Sequence, residues 1–381
     1  MLKNGLIMLR KPKICILSEY AYSSFTGQGI TVGGSELQMS LLAKQLAKRL
    51  YEVSFVTFEK FNFSSNLIEG VKVYNAFYSL QRGYAYLLPQ NIYKLIKLLN
   101  KIDTDIYIKK GYSPLTGIIA FYTRFKNKKF LFIASSEKNV SSNLDISAHS
   151  NLKNIFYRYG VKNSTMIICQ TNHQKNLLKQ KIGRDGQIIK NLYSPPKNVY
   201  KQSKSSNLKI LWVGRLTEGK RVEFFLKLAK NLPNYNFWMI VAPGEPEYFK
   251  RIKEAADKIK NLDFIGFVEH DKMDEYCRRS SVLIHTSASE GFPNTFLEAW
   301  GNSIPVISLG FDPDEIICNH GLGIHVENFD DLVKNVDMLL KNDSLRKKMG
   351  MQGRKYVEKE HNVNRIVNEY EKLFNEIQLI K

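Results

Sequence analysis

The sequence predicts two α/β domains, each built on a doubly wound parallel sheet, with a cleft between them. Short apolar runs typical of buried strands alternate with stretches whose apolar residues recur at helical spacing, which is the pattern of βαβ units. A polar stretch rich in lysine and serine, residues 191–207, interrupts this alternation once, and the alternation then restarts. A chain of 381 residues is also long enough to bury two separate cores.

The first half of the chain predicts a Rossmann-like domain over residues 1–195. Its predicted strands lie in the runs KICILSEY, EVSFVTFE, VKVYN, DIYIK, FLFIAS and TMIICQ. The stretches GGSELQMSLLAKQLAKRL and QNIYKLIKLLNKI have apolar residues on one helical face and are predicted as helices between strands.

The second half predicts another Rossmann-like domain over residues 205–361. Its predicted strands are LKILWVGR, NFWMIVAP, LDFIGFV, VLIHTS and IPVIS, separated by the helices RVEFFLKLAKNL, EYFKRIKEAADKIK and DKMDEYCRR. Helices are expected from residue 330 to about 378, and the last one, about 362–381, is expected to pack back on the first domain. Because ligands of such sheets bind at the carboxyl ends of the strands, the loops there are the candidate sites.

The positive charge is concentrated in the first half of the chain. Residues 1–200 hold 29 Lys and Arg against 10 Asp and Glu, whereas the remainder holds 27 against 26. Such asymmetry predicts contact with something acidic on one side, and Lys94, Lys97 and Lys101 form a basic stripe on one predicted helix. We therefore expect docking to an anionic membrane surface. Nucleic acid is not expected as a partner, because the sequence has no recognised nucleic-acid module.

The sequence favours a cytoplasmic protein, peripheral on the inner membrane face. Its apolar runs are shorter than the roughly 20 residues that span a bilayer, and the N-terminus lacks the apolar region of a signal peptide. The four cysteines lie far apart without a CxxC pair, which is typical of reduced thiols in a core: Cys15, Cys169, Cys277 and Cys318.

Two segments of the second half carry groups suited to a nucleotide. In WVGRLTEGKR, Gly214 permits close backbone approach, and Arg215 and Lys220 are two cations that can grip a diphosphate. The alternative is that they are basic residues on a solvated helix start.

In SEGFPNTFLEAWGNSIPVIS, Glu290 ends a strand, residues 291–293 (Gly291, Phe292, Pro293) make a turn, and Asn294 or Thr295 can cap a helix. The start of that helix suits an anion, and Glu298, one turn later, can accept bonds from a ribose diol.

Together with the loop SLGFDPDEIICNHGLG, these segments resemble the retaining glycosyltransferases of family 4, which have the two-domain GT-B fold. The resemblance covers nearly all of residues 205–325. It implies that Arg215 and Lys220 bind the diphosphate of a nucleotide-sugar donor, Glu290 the donor sugar and Glu298 the ribose. It also places Phe267 and Val268 beside the base.

The first domain matches the family only in part. The loop TVGGSELQM contains Gly33 and Gly34, which in the family lie against the donor phosphate and sugar. Many members have a histidine after the strand FLFIAS, near the reacting carbon of the sugar, whereas this chain has Ser135, Ser136 and Glu137. Whether Glu137 or a nearby hydroxyl replaces that histidine is left open by the sequence.

No metal or other cofactor is expected. The triplet Asp103-Thr104-Asp105 precedes its strand and so lies at the wrong edge of the sheet, and Asp312-Pro313-Asp314 suits a turn and a helix cap. A metal-independent mechanism is therefore predicted, with the leaving diphosphate stabilised electrostatically. The family resemblance further implies that the departing phosphate can itself take the proton of the acceptor.

The sequence thus predicts a retaining, metal-independent glycosyltransferase of polysaccharide biosynthesis. A UDP-sugar is the expected donor from the breadth of the family, and a lipid-linked or cell-envelope glycan is the expected acceptor. The alternatives are a nucleotide-sugar epimerase, a phosphorylase whose cofactor lysine the sequence does not reveal, and a dinucleotide-binding oxidoreductase. The last would need G-x-G-x-x-G after the first strand, where this chain groups its glycines differently.

Overall fold

A computed structural model of the protein describes residues 10–26, 33–60, 65–77, 84–141, 151–197, 208–242 and 244–380. Two parallel sheets dominate it, each covered by helices on both faces. The predicted GT-B class, with two Rossmann-like domains, is confirmed.

The first sheet has its strands in the order β3-β4-β2-β1-β5-β6-β7-β8. All described neighbours pair in parallel except β3 and β4, which are antiparallel. The strands are β1 (Ile14–Leu17), β2 (Val53–Thr57), β3 (Ser65–Ile68), β4 (Val71–Asn75), β5 (Ile106–Lys110), β6 (Lys129–Ile133), β7 (Met166–Cys169) and β8 (Gln187–Ile188).

Helices of the first domain cover both faces of this sheet. They are α1 (Tyr22–Thr26), α2 (Gly34–Lys48), α3 (Pro89–Ile102), α4 (Leu115–Phe125), α5 (Leu152–Lys162) and α6 (Asn172–Ile182). Helix α3 turns its apolar face, including Leu95 and Leu99, into the core, and its lysines Lys94, Lys97 and Lys101 are exposed.

The second sheet is parallel throughout its described pairs, in the order β11-β10-β9-β12-β13-β14. Its strands are β9 (Lys209–Arg215), β10 (Asn236–Ala242), β11 (Leu262–Gly266), β12 (Val282–His285), β13 (Val306–Leu309) and β14 (Gly323–Val326). The helices that follow in sequence are α7 (Glu223–Asn231), α8 (Pro246–Ala256), α9 (His270–Arg278), α10 (Asn294–Gly301), α11 (Ile316–His320), α12 (Phe329–Lys341), α13 (Asp343–Glu360) and α14 (Val363–Gln378).

The chain crosses between the domains at two adjacent places. The last helix, α14, buries Ile366, Leu373 and Phe374 in the core on one face of the first sheet. Beside this crossing, the Tyr193 backbone N–H donates to the His361 carbonyl at 3.0 Å, so the outgoing and returning segments run side by side. Burial of apolar side chains from α14 therefore fastens the C-terminal end of the chain to the first domain.

The cysteines differ from the prediction at one position. Cys15, Cys169 and Cys277 are buried thiols, whereas Cys318 is exposed, because it lies on the short helix α11 at the edge of the second sheet. Within the described residues, no helix is both long and apolar enough to span a membrane.

Candidate functional site

A cavity of about 660 Å³ lies between the carboxyl edges of the two sheets. Its second-domain wall comes from the loops after β9, β11 and β12 and from the start of α10, and its first-domain wall from the ends of β5, β6 and β7 and the start of α2. Both sheets therefore present the edge at which α/β proteins bind ligands.

Two cations enter the cavity from the segment after β9. Arg215 is the last residue of β9, and Lys220 ends a short 3₁₀ helix, Glu218–Lys220. A guanidinium nitrogen of Arg215 lies 3.4 Å from the position that a Cβ on Gly33 would occupy, so Arg215 reaches the first domain across the cavity. Its guanidinium and the Lys220 ammonium are both placed to meet a phosphate.

Glu290 is ionised in the cavity wall. Its carboxylate pairs with the Lys220 ammonium, and Oε1 lies 3.7 Å from Nε2 of the buried His285. Burial by itself would raise the pKa of Glu290, but Lys220 and His285 outweigh it and hold the pKa well below the ordinary value. Burial lowers the pKa of His285 despite this neighbour.

Helix α10 begins in the cavity wall, where Pro293, Asn294 and Thr295 line the cavity. The sequence offered Asn294 or Thr295 as the cap, but the N-cap is Pro293, which provides no side-chain hydrogen bond. Asn294 instead donates from Nδ2 to the Gly34 carbonyl at 3.0 Å and accepts from Gln38 Nε2 at 3.2 Å. The Asn294 side chain thus joins the domains and leaves the helix start without a side-chain cap, as an anion site requires.

Glu298 lies on the cavity face of α10 and is largely buried. Its Oε1 is 3.5 Å from Nδ1 of His270, the first residue of α9, and the carboxylate raises the pKa of His270. Phe267 and Val268, which follow β11, line the same end of the cavity. An acid therefore stands beside a small apolar surface.

Gly291 lies at a close approach between the domains. A Cβ on Gly291 would lie 2.4 Å from both the Ser135 carbonyl oxygen and Oε1 of Gln170. The turn after β12 therefore packs directly on the ends of β6 and β7, and a larger residue there would push the domains apart.

Glu137 does not line the cavity. It begins a 3₁₀ helix after β6, and its carboxylate accepts from the Ser289 hydroxyl at 2.9 Å and lies 3.8 Å from His173 Nε2. The Ser135 hydroxyl, one of the two candidate hydroxyls of this segment beside that of Ser136, donates to Asn139 Oδ1 at 2.9 Å. The structure thus gives Glu137 an interdomain contact, and the hypothesis that it replaces the histidine gains no support from its position.

Apart from Glu137 and Gly291, every site residue that the sequence singled out lines the cavity: Gly33, Gly34, Gly214, Arg215, Lys220, Phe267, Val268, Glu290, Phe292, Asn294, Thr295 and Glu298. The sequence analysis did not identify Lys110, Gln170, Asn191, His270 or Met273, which also line it. Lys110 follows directly after the predicted strand DIYIK and is the last residue of β5 in the structure, so its charge at the carboxyl end of a strand was the signal that could have revealed it.

The aspartate triplets have structural partners. Asp103 pairs with Lys128 at 2.9 Å at the amino edge of the first sheet. Asp312 accepts from the Ile317 backbone N–H at 2.9 Å, and Asp314 accepts from the Asn172 N–H at 2.7 Å, across the domain boundary. The contact of Asp103 agrees with the predicted position of its triplet at the amino edge, and those of Asp312 and Asp314 agree with their interpretation as turn and cap residues.

One set of possible metal ligands was not apparent from the sequence. Asp312, Cys318 and His325 bring one ligand atom each within 4.8 Å of one another at the end of the second sheet. None of the three lines the cavity between the domains.

Comparisons with known proteins agree with this architecture. The family model described as glycosyl transferases group 1 matches residues 197–356. An uncharacterized glycosyltransferase of Methanocaldococcus jannaschii is 26% identical over 327 residues, which is 84% of this chain and 90% of that protein. The amylovoran biosynthesis glycosyltransferase AmsD of Erwinia amylovora is 26% identical over 50% of this chain and 56% of its own length.

Among solved structures, HepE of Anabaena in complex with UDP and glucose superposes with a TM-score of 0.75 at 16% identity, over 96% of this chain and 100% of that one. The fold of the whole chain and the family match over the second domain together support glycosyltransferase activity for this protein.

Proposed function

We propose that the protein is a retaining glycosyltransferase of family 4 that transfers a sugar from a UDP-sugar to a cell-envelope or lipid-linked glycan. The observation that carries the proposal is the composition of the second-domain wall. Arg215, Lys220 and the start of α10 meet in one cavity, with Glu290 and Glu298 among them. This is the set of groups needed to bind a diphosphate between a sugar and a ribose.

The donor diphosphate would be held by two cations and a helix start. Arg215 can donate to two phosphate oxygens at once, and the uncapped N–H groups of α10 favour negative charge. Lys220, which is paired with Glu290 in the structure, would turn to the phosphate or bridge it to the carboxylate. These groups would act where charge develops on the leaving diphosphate.

The two acids would hold hydroxyl groups on either side of that diphosphate. Glu298 is beside Phe267 and Val268 and would accept from the ribose diol, with the base against the apolar surface. Glu290 stays ionised and would accept from hydroxyls of the transferred sugar. A carboxylate accepts such bonds about twice as strongly as a neutral group.

We infer that the reaction is retaining and independent of metal. This inference rests on the family resemblance and on Arg215 and Lys220, whose positive charges can neutralise the diphosphate. The bond from the anomeric carbon to the diphosphate breaks as the bond to the acceptor oxygen forms on the same face of the sugar, and the electron pair leaves with the diphosphate. Proton NMR of the first product formed would report the anomeric configuration, and inversion would refute this part. Undiminished turnover in excess EDTA is expected.

The choice of UDP rests on neighbours and not on a residue of this chain. HepE was solved with UDP and glucose, and the family uses UDP-sugars widely. The acceptor class rests on the likeness to an enzyme named for amylovoran biosynthesis and on the basic first domain.

Titration calorimetry with UDP, GDP and ADP tests the donor proposal. We expect UDP to bind. The substitution Arg215→Ala should weaken UDP binding by about 10- to 100-fold, because a charged hydrogen bond to the diphosphate is lost. Arg251→Ala, an exposed arginine on α8, is the matched control and should bind as the wild type does. Equal binding by Arg215→Ala and wild type would contradict the proposed diphosphate site.

A membrane surface is the proposed location of the reaction. Lys94, Lys97 and Lys101 are exposed along α3, where they could contact anionic lipid at about 1 kcal/mol per cation. Changing all three to Glu should weaken binding to phosphatidylglycerol vesicles at low salt by about a hundredfold, as measured by sedimentation with the vesicles. The control is the same charge change at exposed lysines of the second domain, in the triple variant K250E/K258E/K260E. If the two triple variants bind alike, α3 is not the docking surface.

A further inference from the structure

The first domain has a crevice of its own that faces the donor site. In the first sheet β1 lies between β2 and β5, so the chain leaves β1 and β5 in opposite directions and opens a crevice between them. Such a switch point is where doubly wound sheets bind ligands. Glu36, in the first turn of α2, and Lys110, the last residue of β5, are the charged groups in that part of the cavity wall.

Lys110 is a buried amine without a carboxylate partner. Only 7% of the residue is exposed, and among the described residues no carboxylate oxygen lies within ion-pair distance of its Nζ. Its neighbour Lys109 points elsewhere and pairs with Glu19 at 2.9 Å. Nζ of Lys110 instead donates to the Asn191 side-chain oxygen at 3.0 Å. A neutral amine bonded in this way keeps a lone pair.

The surroundings of Lys110 favour the neutral amine. Burial lowers the pKa of Lys110 to about 7, and Glu36 is the charged group that opposes this shift. Burial also raises the pKa of Glu36. Glu19 raises this pKa further, whereas Arg215 and Lys109 lower it. Near neutral pH, a substantial fraction of the molecules therefore carries an uncharged Lys110.

Asn191 connects this amine to the donor side of the cavity. Its Oδ1 accepts from Lys110 and from Gln170, and its Nδ2 donates to the Phe292 carbonyl at 3.2 Å and to Asn294 Oδ1 at 3.0 Å. All the hydrogen-bonding groups of this side chain are thus used. Lys110 is held beside the turn that carries Glu290, on the opposite wall from Arg215 and Lys220.

We propose that Lys110 is the general base of the transfer, with its amine accepting the proton of the attacking acceptor hydroxyl. The proposal rests on the proposed glycosyl transfer. The proton passes to Nζ as the acceptor oxygen bonds to the anomeric carbon on the face that the diphosphate leaves, and the bond to the diphosphate breaks with its electron pair going to the diphosphate. The resulting ammonium later releases the proton to solvent or to the departing diphosphate. A lysine thus supplies proton transfer in a first domain that lacks the histidine.

Hydrolysis of the donor without any acceptor tests the base, because water then takes the place of the acceptor hydroxyl. The substrates are UDP-glucose, UDP-galactose and UDP-N-acetylglucosamine, each assayed between pH 5.5 and 9, and UDP affinity is measured by calorimetry. The variants are Lys110→Met, Lys110→Arg and Lys110→His, with Lys258→Met as an exposed-lysine control. Arginine keeps the charge but cannot act as a base, whereas histidine can.

For the wild type, kcat/KM for hydrolysis should rise with pH to a plateau above about 7, since it reports the base of the free enzyme. Lys110→Met should bind UDP within about twofold of wild type but hydrolyse the donor at least about a hundredfold more slowly, with a flat profile. Lys110→His should recover part of the rate, and Lys110→Arg should not.

Three outcomes would overturn the proposal. Rescue by arginine would mean that Lys110 acts through its charge, and loss of UDP affinity in Lys110→Met would mean that it only supports the donor site. A wild-type rate in Lys110→Met would remove it from the reaction altogether. If the wild-type protein itself binds no nucleotide, the proposed function fails first, and the inference about Lys110 fails with it.

Discussion

Replacing Lys110 by methionine should stabilise the protein, and the gain should depend on pH. Methionine has nearly the volume of the lysine stem and removes a buried amine that has no carboxylate partner among the described residues. The expectation is that a residue suited to catalysis is unfavourable for stability. Stability and activity should therefore change in opposite directions at this position.

The magnitude follows from the pKa of Lys110. Lysine in an unfolded chain has a pKa of about 10.4, whereas in the folded protein burial lowers the pKa of Lys110 to about 7. Between these values the unfolded state binds more protons, so the free energy of unfolding rises with pH. Each pKa unit corresponds to 1.36 kcal/mol, so the destabilisation is on the order of 4 kcal/mol below pH 7 and is lost by about pH 10.

Urea denaturation of the wild type and Lys110→Met at pH 6.5 and 9.0 measures this effect. The variant should be more stable at both values, and its advantage should be about 2 to 3 kcal/mol smaller at pH 9.0. Lys258→Met, an exposed lysine, should follow the wild type at both. Parallel stability curves for wild type and Lys110→Met would show that Lys110 titrates normally and would refute the reasoning.

Three further predictions concern the contacts around the cavity. Gly291→Ala should cut donor hydrolysis by about a hundredfold with little change in UDP affinity, because its Cβ would meet the Ser135 carbonyl and hold the domains apart; an unimpaired rate would show that this contact is not needed. Glu298→Gln should raise the Kd for UDP by about tenfold in calorimetry but leave the Kd for free pyrophosphate unchanged, and an equal effect on both would place Glu298 at the phosphates. Because Glu298 raises the pKa of His270, their pair adds stability below about pH 6.5 that is lost as pH rises through the higher folded pKa. His270→Gln should therefore have a free energy of unfolding below that of wild type at pH 6, by less than about 1 kcal/mol since the His270 side chain is 45% exposed, and equal to it above pH 8, as measured by urea denaturation.

Buried strands were the part of the fold that the sequence predicted well. Strands such as β1 and β7 are continuous apolar runs because both faces of a parallel sheet are covered, and short runs of this kind between helical stretches are typical of such strands. Strand β3 was missed because it is an exposed edge strand without a buried face, and β8 because it has two residues. Pairing with a neighbour, and not an apolar pattern, makes these two segments strands.

The candidate site was predictable on the second domain and much less so on the first. Arg215 ends a recognisable strand, Lys220 lies in the short helix after it, and Glu298 lies on a helix that follows another strand, so the edge of the second sheet brings them together. Lys110 was hidden within a strand and Asn191 within the apparent linker. Their positions in the cavity depend on how the two domains face each other, which no local pattern encodes.

The positions of the charged residues distinguish two proposed roles, donor binding and contact with an anionic surface, which the composition alone does not distinguish. The excess of positive charge belongs to the first 200 residues, yet among the described first-domain residues that line the cavity Lys110 is the basic one. The two cations of the proposed diphosphate site come instead from the second half, whose charge is nearly balanced. Within the described residues, the excess charge of the first domain therefore lies outside the cavity, on surfaces such as that of α3. We propose that its long-range effect is to orient the protein toward an anionic surface, while the proposed transfer takes place between the two sheets.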